Sequence, residues 1–175
     1  MLNKLLEDGN MLFRKGRLTD AAYRYEYALR RLPRLRPDAS ASEDIFAQMK
    51  SHLLLNLSRT KRKMGHFDEA EECAKQVLAS RPQCHEAWWA RAKARADKGH
   101  FQEALCDLRE ALKLAPQNMK LHAFSLQVKN QLEAKQAKEA VLKAMKAKTD
   151  VAEEATPDED EILTISEEEI GLTNC

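Results

Sequence analysis

The chain has 175 residues, 43% of them hydrophobic and 33% charged, with a formal net charge of +1. That length supports one domain with a real core. No stretch approaches the roughly 20 apolar residues of a membrane span, and no signal-peptide pattern follows Met1, so a cytoplasmic location is expected. The charge is uneven. Residues 151–175 hold nine acids and no Lys or Arg, which leaves 29 bases against 19 acids, a net +10, in residues 1–150. A basic body with an acidic tail fits acidic partners, or a tail that competes for the body's own binding surface. Cys73, Cys84, Cys106 and Cys175 form no Cys-x-x-Cys pair and have no His grouping nearby. They read as buried reduced thiols, and neither a metal nor another cofactor is expected.

The predicted elements are all helical. A first helix runs from Leu2 to Lys15, turns at Gly16-Arg17 and returns as a second from Leu18 to Leu32. Gly9, Ala21 and Ala28 are small where antiparallel helices approach, and Leu5, Leu12, Tyr25 and Leu29 fill the space between them. Arg34 to Glu43, with Pro37, reads as a loop, and a long third helix follows from about Asp44 to Met64. The fourth starts near Phe67, after Gly65-His66, and ends before Pro82. A further pair spans His85 to Ala115 around a turn at Lys98-Gly99. After Pro116, a last helix continues to about Lys148; its early apolar residues cover the open edge of the array, and residues 133–148 are a thinly apolar extension. Composition favours a disordered acidic tail over 149–175.

The turn residues recur. Gly65 and Gly99, Phe67 and Phe101, Ala70 and Ala104, Leu78 and Leu112, and Pro82 and Pro116 are each 34 residues apart. Gly16, Leu18, Ala21, Leu29 and Pro33 repeat the pattern 49 residues before the middle copy, so 15 residues are inserted near 34–48. A 34-residue helix–turn–helix repeat buries its apolar face only by stacking on its neighbours. With these residues the chain resembles tetratricopeptide repeat (TPR) proteins. The fold expected is an all-α TPR solenoid of three repeats over residues 1–132, with a long C-terminal capping helix and the acidic tail. Tyr25-Glu-Tyr-Ala-Leu-Arg-Arg31, Leu54-Leu-Asn-Leu-Ser-Arg59, Lys61-Arg-Lys-Met64 and Glu86-Ala-Trp-Trp-Ala-Arg-Ala-Lys-Ala-Arg95 are similar to the TPR region of Tanc/rolling-pebbles scaffolds. That resemblance implies a cytoplasmic adaptor with a coiled-coil-prone stretch after the repeats.

In TPR arrays the first helix of each pair lines a groove. Groove-facing positions here are Leu6, Asn10, Phe13 and Arg14, then His52, Leu55, Asn56, Arg59, Arg62 and Lys63. Glu86, Trp89, Ala90 and Lys93 follow, with Lys120, Phe124 and Gln127 from the cap. Asn10, Phe13, Arg14, His52, Asn56, Arg59, Arg62, Lys63, Trp89 and Lys93 are the expected peptide-binding residues. Amides bond a peptide backbone and cations meet its carboxylates. Trp88 is expected in the core and Trp89 exposed.

The carboxylate clamp by which some TPR domains hold chaperone tails ending in Glu-Glu-Val-Asp is incomplete. Asn10 and Asn56 match its two amides, but Leu6, Glu86 and Ala90 stand where cations are required, which costs charge-assisted bonds of ~1.5–3 kcal/mol each. In the tail, Ile162, Leu163, Thr164 and Ile165 between acids resemble a SUMO-interacting motif. Thr173-Asn174-Cys175 is a weak match to a PDZ ligand. No nucleophile or acid/base set converges, so no enzyme is expected, and repetition accounts for His66 and His100. The reading is a non-enzymatic scaffold that binds an extended acidic peptide in the groove. The alternatives are a co-chaperone-like TPR protein, and a basic nucleic-acid-associated module suggested by Lys61-Arg62-Lys63. The second is disfavoured, because no stacking-aromatic motif accompanies the charge.

Overall fold

The computed structural model describes the backbone of residues 2–32 and 43–154, and the side chains of residues 3–32 and 45–147. Among the described residues there are seven helices and no strand: α1 (Leu2–Arg14), α2 (Leu18–Arg31), α3 (Glu43–Lys63), α4 (Phe67–Ser80), α5 (His85–Asp97), α6 (Phe101–Leu114) and α7 (Met119–Glu154). Pairs α1/α2, α3/α4 and α5/α6 each pack together. Helix α2 also packs on α3, and α4 on α5, while α1, α3 and α5 touch across the repeats. This is the expected all-α TPR solenoid.

The three turns share one construction. Gly16, Gly65 and Gly99 adopt φ of 76°, 83° and 79°, a left-handed conformation that a Cβ would strain. In each, the next residue's N–H reaches back five residues to close the helix end. The bonds are Arg17 to the Leu12 carbonyl at 3.0 Å, His66 to Lys61 at 2.9 Å and His100 to Arg95 at 2.9 Å. The returning helix then places Asp20, Glu69 or Glu103 in its first turn, where its dipole favours an acid. Each carboxylate lies beside the side chain three residues earlier: Arg17 at 2.6 Å, His66 at 3.2 Å and His100 at 3.9 Å. The equivalent placing of His66 and His100 is thus a property of the turn.

Ala21, Ala70 and Ala104, at equivalent positions, are fully buried where paired helices come closest. Tyr25, Leu53, Leu54, Leu57, Val77 and Leu78 fill the core of the first two repeats, each large aliphatic contributing roughly 1.5–3 kcal/mol. A second cluster joins Ala92, Ala104, Leu108 and Ala111 to Leu121 and Val128 of α7, so the start of α7 covers the third repeat as expected. The Asn118 carboxamide oxygen caps that helix, accepting from the Lys120 and Leu121 N–H groups at 3.1 and 3.4 Å.

Helix α3 has 21 residues against 13 for α1 and α5. Part of the inserted sequence therefore forms extra helical turns; residues 33–42 lie outside those described. Helix α7 runs to Glu154, beyond the Thr149 expected to open the disordered tail, because Ala, Lys, Glu and Gln sustain helix without a core to pack on. The compact repeat unit ends at Glu133. From Ala134 onward, α7 exposes Val141, Leu142 and Met145.

Candidate functional site

A pocket lined from α1, α2 and α3 begins at a glycine. A Cβ on Gly9 would lie 2.5 Å from the Tyr25 ring, so only glycine lets that ring fold under α1. The equivalent positions in α3 and α5 carry Ser58 and Ala92, also small and buried. Tyr25 is 1% exposed, yet its hydroxyl reaches the groove and donates to Asn10 Oδ1 at 2.8 Å. Asn56 Nδ2 donates to the same oxygen at 3.2 Å. With Oδ1 doubly engaged, the Asn10 carboxamide offers its two N–H bonds to a ligand. These residues and Phe13, Arg14 and Arg59 line a pocket of about 280 Å³ that contains no acid. Burial raises the Tyr25 phenol, and the charges of Arg59 and Arg14 partly oppose this. The pocket is thus rich in donors and positive in potential, suited to a carboxylate.

The neighbouring cations are held open by aromatic rings. The Arg59 guanidinium lies 4.8 Å, and the Lys63 ammonium 5.7 Å, from the centroid of Phe13. The Lys93 ammonium sits 3.5 Å from the centroid of Trp89. Among the described residues Arg14, Arg59, Lys63 and Lys93 make no ion pair. Arg62 differs, since its Nη1 is 2.6 Å from Asp97 Oδ2. Burial, reinforced by repulsion from Arg62 and Arg59, pulls the Lys93 ammonium down to about 8.

Eight of the ten expected binding residues therefore line the pocket or carry its adjoining cations. The other two are placed differently. His52 is exposed but lies outside the pocket. Trp89 is half-buried, and its indole Nε1 is buried with no hydrogen-bond partner among the described residues. It packs on the second core cluster, and its ring lies against the Lys93 ammonium. Trp88, expected in the core, is half-buried between both clusters; its Nε1 donates to the Pro82 carbonyl at 2.8 Å. Leu6, Leu55 and Phe124 also pack on the core. Glu86 is exposed, with the Cys84 thiol donating to it at 3.3 Å and His85 Nδ1 3.2 Å away. Cys106 is exposed, against the expectation of buried thiols, whereas Cys73 is buried and burial raises it to about 11. Ile162, Leu163, Thr164 and Ile165 lie outside the described residues.

Sequence reasoning took Tyr25 as packing alone. Its signal was polarity: the equivalent positions hold Ala74 and Leu108, neither of which needs a hydroxyl. Asp97 was missed because a groove acid runs against the trend of its neighbours.

The run Lys61-Arg62-Lys63 is divided by the helix. Lys61 lies 2.9 Å from Glu26 and 2.7 Å from Glu69 on the side facing α2 and α4, while Arg62 meets Asp97. Of these three, Lys63 alone is unpaired among the described residues, so the run itself presents no continuous cationic stripe. No helix of the described residues is long and apolar enough to cross a membrane.

Residues 55–118 match the tetratricopeptide repeat family model. The aryl-hydrocarbon-interacting protein-like 1 of Pan paniscus is 29% identical over 136 residues, covering 75% of this chain and 35% of that protein, so the chain spans about a third of that relative's length. Among solved structures, the C-terminal TPR-containing domain of a Plasmodium falciparum FK506-binding protein is similar with a TM-score of 0.67 at 23% identity, covering 78% of this chain and 91% of that one. The first TPR of Spaghetti (RPAP3), solved bound to the HSP90 peptide SRMEEVD, has a TM-score of 0.60 at 20% identity, covering 75% and 93%. At these identities the likeness establishes the fold alone, a TPR array.

Proposed function

We propose that the concave face of the repeat unit binds an extended acidic peptide, and that the chain serves as a non-enzymatic scaffold or adaptor. The observation that carries this reading is the Asn10–Asn56–Arg59 pocket, whose oriented donors and cations lack an acid within it. One ligand carboxylate seats there while the peptide passes Lys63 and Lys93. The adaptor role and a cytoplasmic setting rest on the resemblance to Tanc/rolling-pebbles scaffolds. The test is fluorescence anisotropy with an acetylated, amidated hexaglutamate and a hexaglutamine control. Salt-sensitive binding of the first alone is expected; equal binding of both would remove the reading. Replacing the nine acids of residues 151–175 by Asn and Ser asks whether the tail competes, and tighter binding would show that it does.

A second reading has its own support. Arg14 and Arg59 reach the two clamp-like amides from the next turn of α1 and α3, so cations absent at Leu6, Glu86 and Ala90 are partly replaced from elsewhere. The chain would then capture a chaperone-type C-terminus. SRMEEVD with a free and an amidated terminus separates the two. Loss of about tenfold on amidation, one charge-assisted bond, supports terminal capture, and no difference supports an internal acidic segment.

A further inference from the structure

We propose that Lys93 makes capture of an acidic ligand proton-linked, so that an anionic segment seated beside it draws a proton onto its amine and binds weakly where that amine stays neutral. This rests on the groove reading above and adds a regulating variable to it. Asn10, Arg59 and Lys93 occupy equivalent positions, 49 and 34 residues apart, and so form one rung across α1, α3 and α5. A ligand that reaches the pocket passes this rung.

The surroundings of Lys93 differ from those of the other shifted lysines. From α3 it faces Arg59 and Arg62, and from α7 Lys120. Its own helix supplies Asp97, whose Oδ2 is held 2.6 Å from Arg62. Helices α4 and α6 also pack on α5, but Asp68, Glu71, Glu103 and Asp107 are directed at Arg95, Lys98 and Arg91 on its other side. Lys93 therefore has a ring face, three cations and one committed acid around a half-buried ammonium. Lys61 and Lys98, each between two carboxylates, are shifted the opposite way, upward. Lys93 is lowered by burial, then by Arg62 and Arg59, to about 8.

The sign follows from this. In the empty groove, burial and the neighbouring cations bring the amine to lose its proton near 8, well below an ordinary lysine. Ligand carboxylates favour the ammonium and move it back up. The complex then holds more protons than its separated parts, and affinity falls as pH rises through about 8.

The experiment uses the full chain and acetylated, amidated hexaglutamate at constant ionic strength from pH 6.5 to 9.5. Affinity is expected to be about tenfold weaker at pH 9 than at pH 7, with a binding enthalpy that varies with the buffer's own ionisation heat. Lys93→Arg, which stays charged throughout, should bind with the same affinity at pH 9 as it does at pH 7; Lys93→Gln should be weak and flat. NMR titration of the Lys93 side chain in the free protein gives an independent reading near 8. A free lysine titrating above 10, a flat wild-type profile, or an unchanged slope in Lys93→Arg would each overturn the linkage while leaving the groove intact. No binding at any pH, with Lys93 still titrating near 8, would instead overturn the groove reading and the linkage with it.

Discussion

On one side of α5, Arg91, Arg95 and Lys98 are each matched by a carboxylate; on the other, Lys93 is matched by none. The paired side faces α4 and α6. Asp107, 2% exposed, is 2.8 Å from Arg91 and 3.0 Å from Arg95. Glu71 meets Arg95 at 3.0 Å and Lys98 at 3.1 Å. The groove side carries Lys93 on Trp89, as Arg59 rests on Phe13 in α3. The same side-chain types thus have two roles within one helix. Buried cations require partners because desolvation is costly. Groove cations remain available because an aromatic face supports them without consuming their N–H donors.

The comparison breaks first at Asp107. Asp107→Ala leaves two guanidiniums partly buried without their shared partner and should destabilise by about 3–5 kcal/mol in urea unfolding. A loss below about 1 kcal/mol would mean that the pairing is incidental.

Glu71 sharpens the same side through pH. Burial alone would raise its carboxyl, but hydrogen bonds from Arg95 and Lys98 outweigh that and hold it down to about 2. Its folded value lies below the unfolded one of 4.5, so its contribution is complete above that value. The stability is lost as pH falls through the interval toward 2, by at most about 3 kcal/mol. Glu71→Gln should flatten this part of the acid-unfolding curve.

On the groove side, Arg59→Glu should weaken hexaglutamate binding by at least about tenfold while shifting stability by less than about 0.5 kcal/mol. A large stability loss would show that Arg59 is structural like Arg95. The smallest effect concerns the turn that fixes both sides in register. Gly65→Ala meets nothing within 4 Å, so it should cost only the positive-φ strain, about 1 kcal/mol, with binding unchanged.

Much of this was legible along the chain. The glycines announced the turns because only they tolerate the required φ, and the repeat period placed Asn10, Asn56, Arg59 and Lys93 on groove-facing helices. Pairing was harder to read. Lys61, Arg62 and Lys63 are consecutive, yet the 3.6-residue turn sends them to Glu26 and Glu69, to Asp97, and to the Phe13 ring. Trp88 and Trp89 are adjacent as well, yet Trp88 packs on both core clusters and Trp89 on the second alone.

By itself the sequence determined the solenoid, since turn chemistry and small-residue spacing are local and recur with the repeat. Only the tertiary structure decided which cations are neutralised and how Tyr25 builds the pocket floor. Those outcomes depend on side chains as much as 46 residues apart, such as Asn56 and Asn10, and on how much water each keeps once the helices have packed.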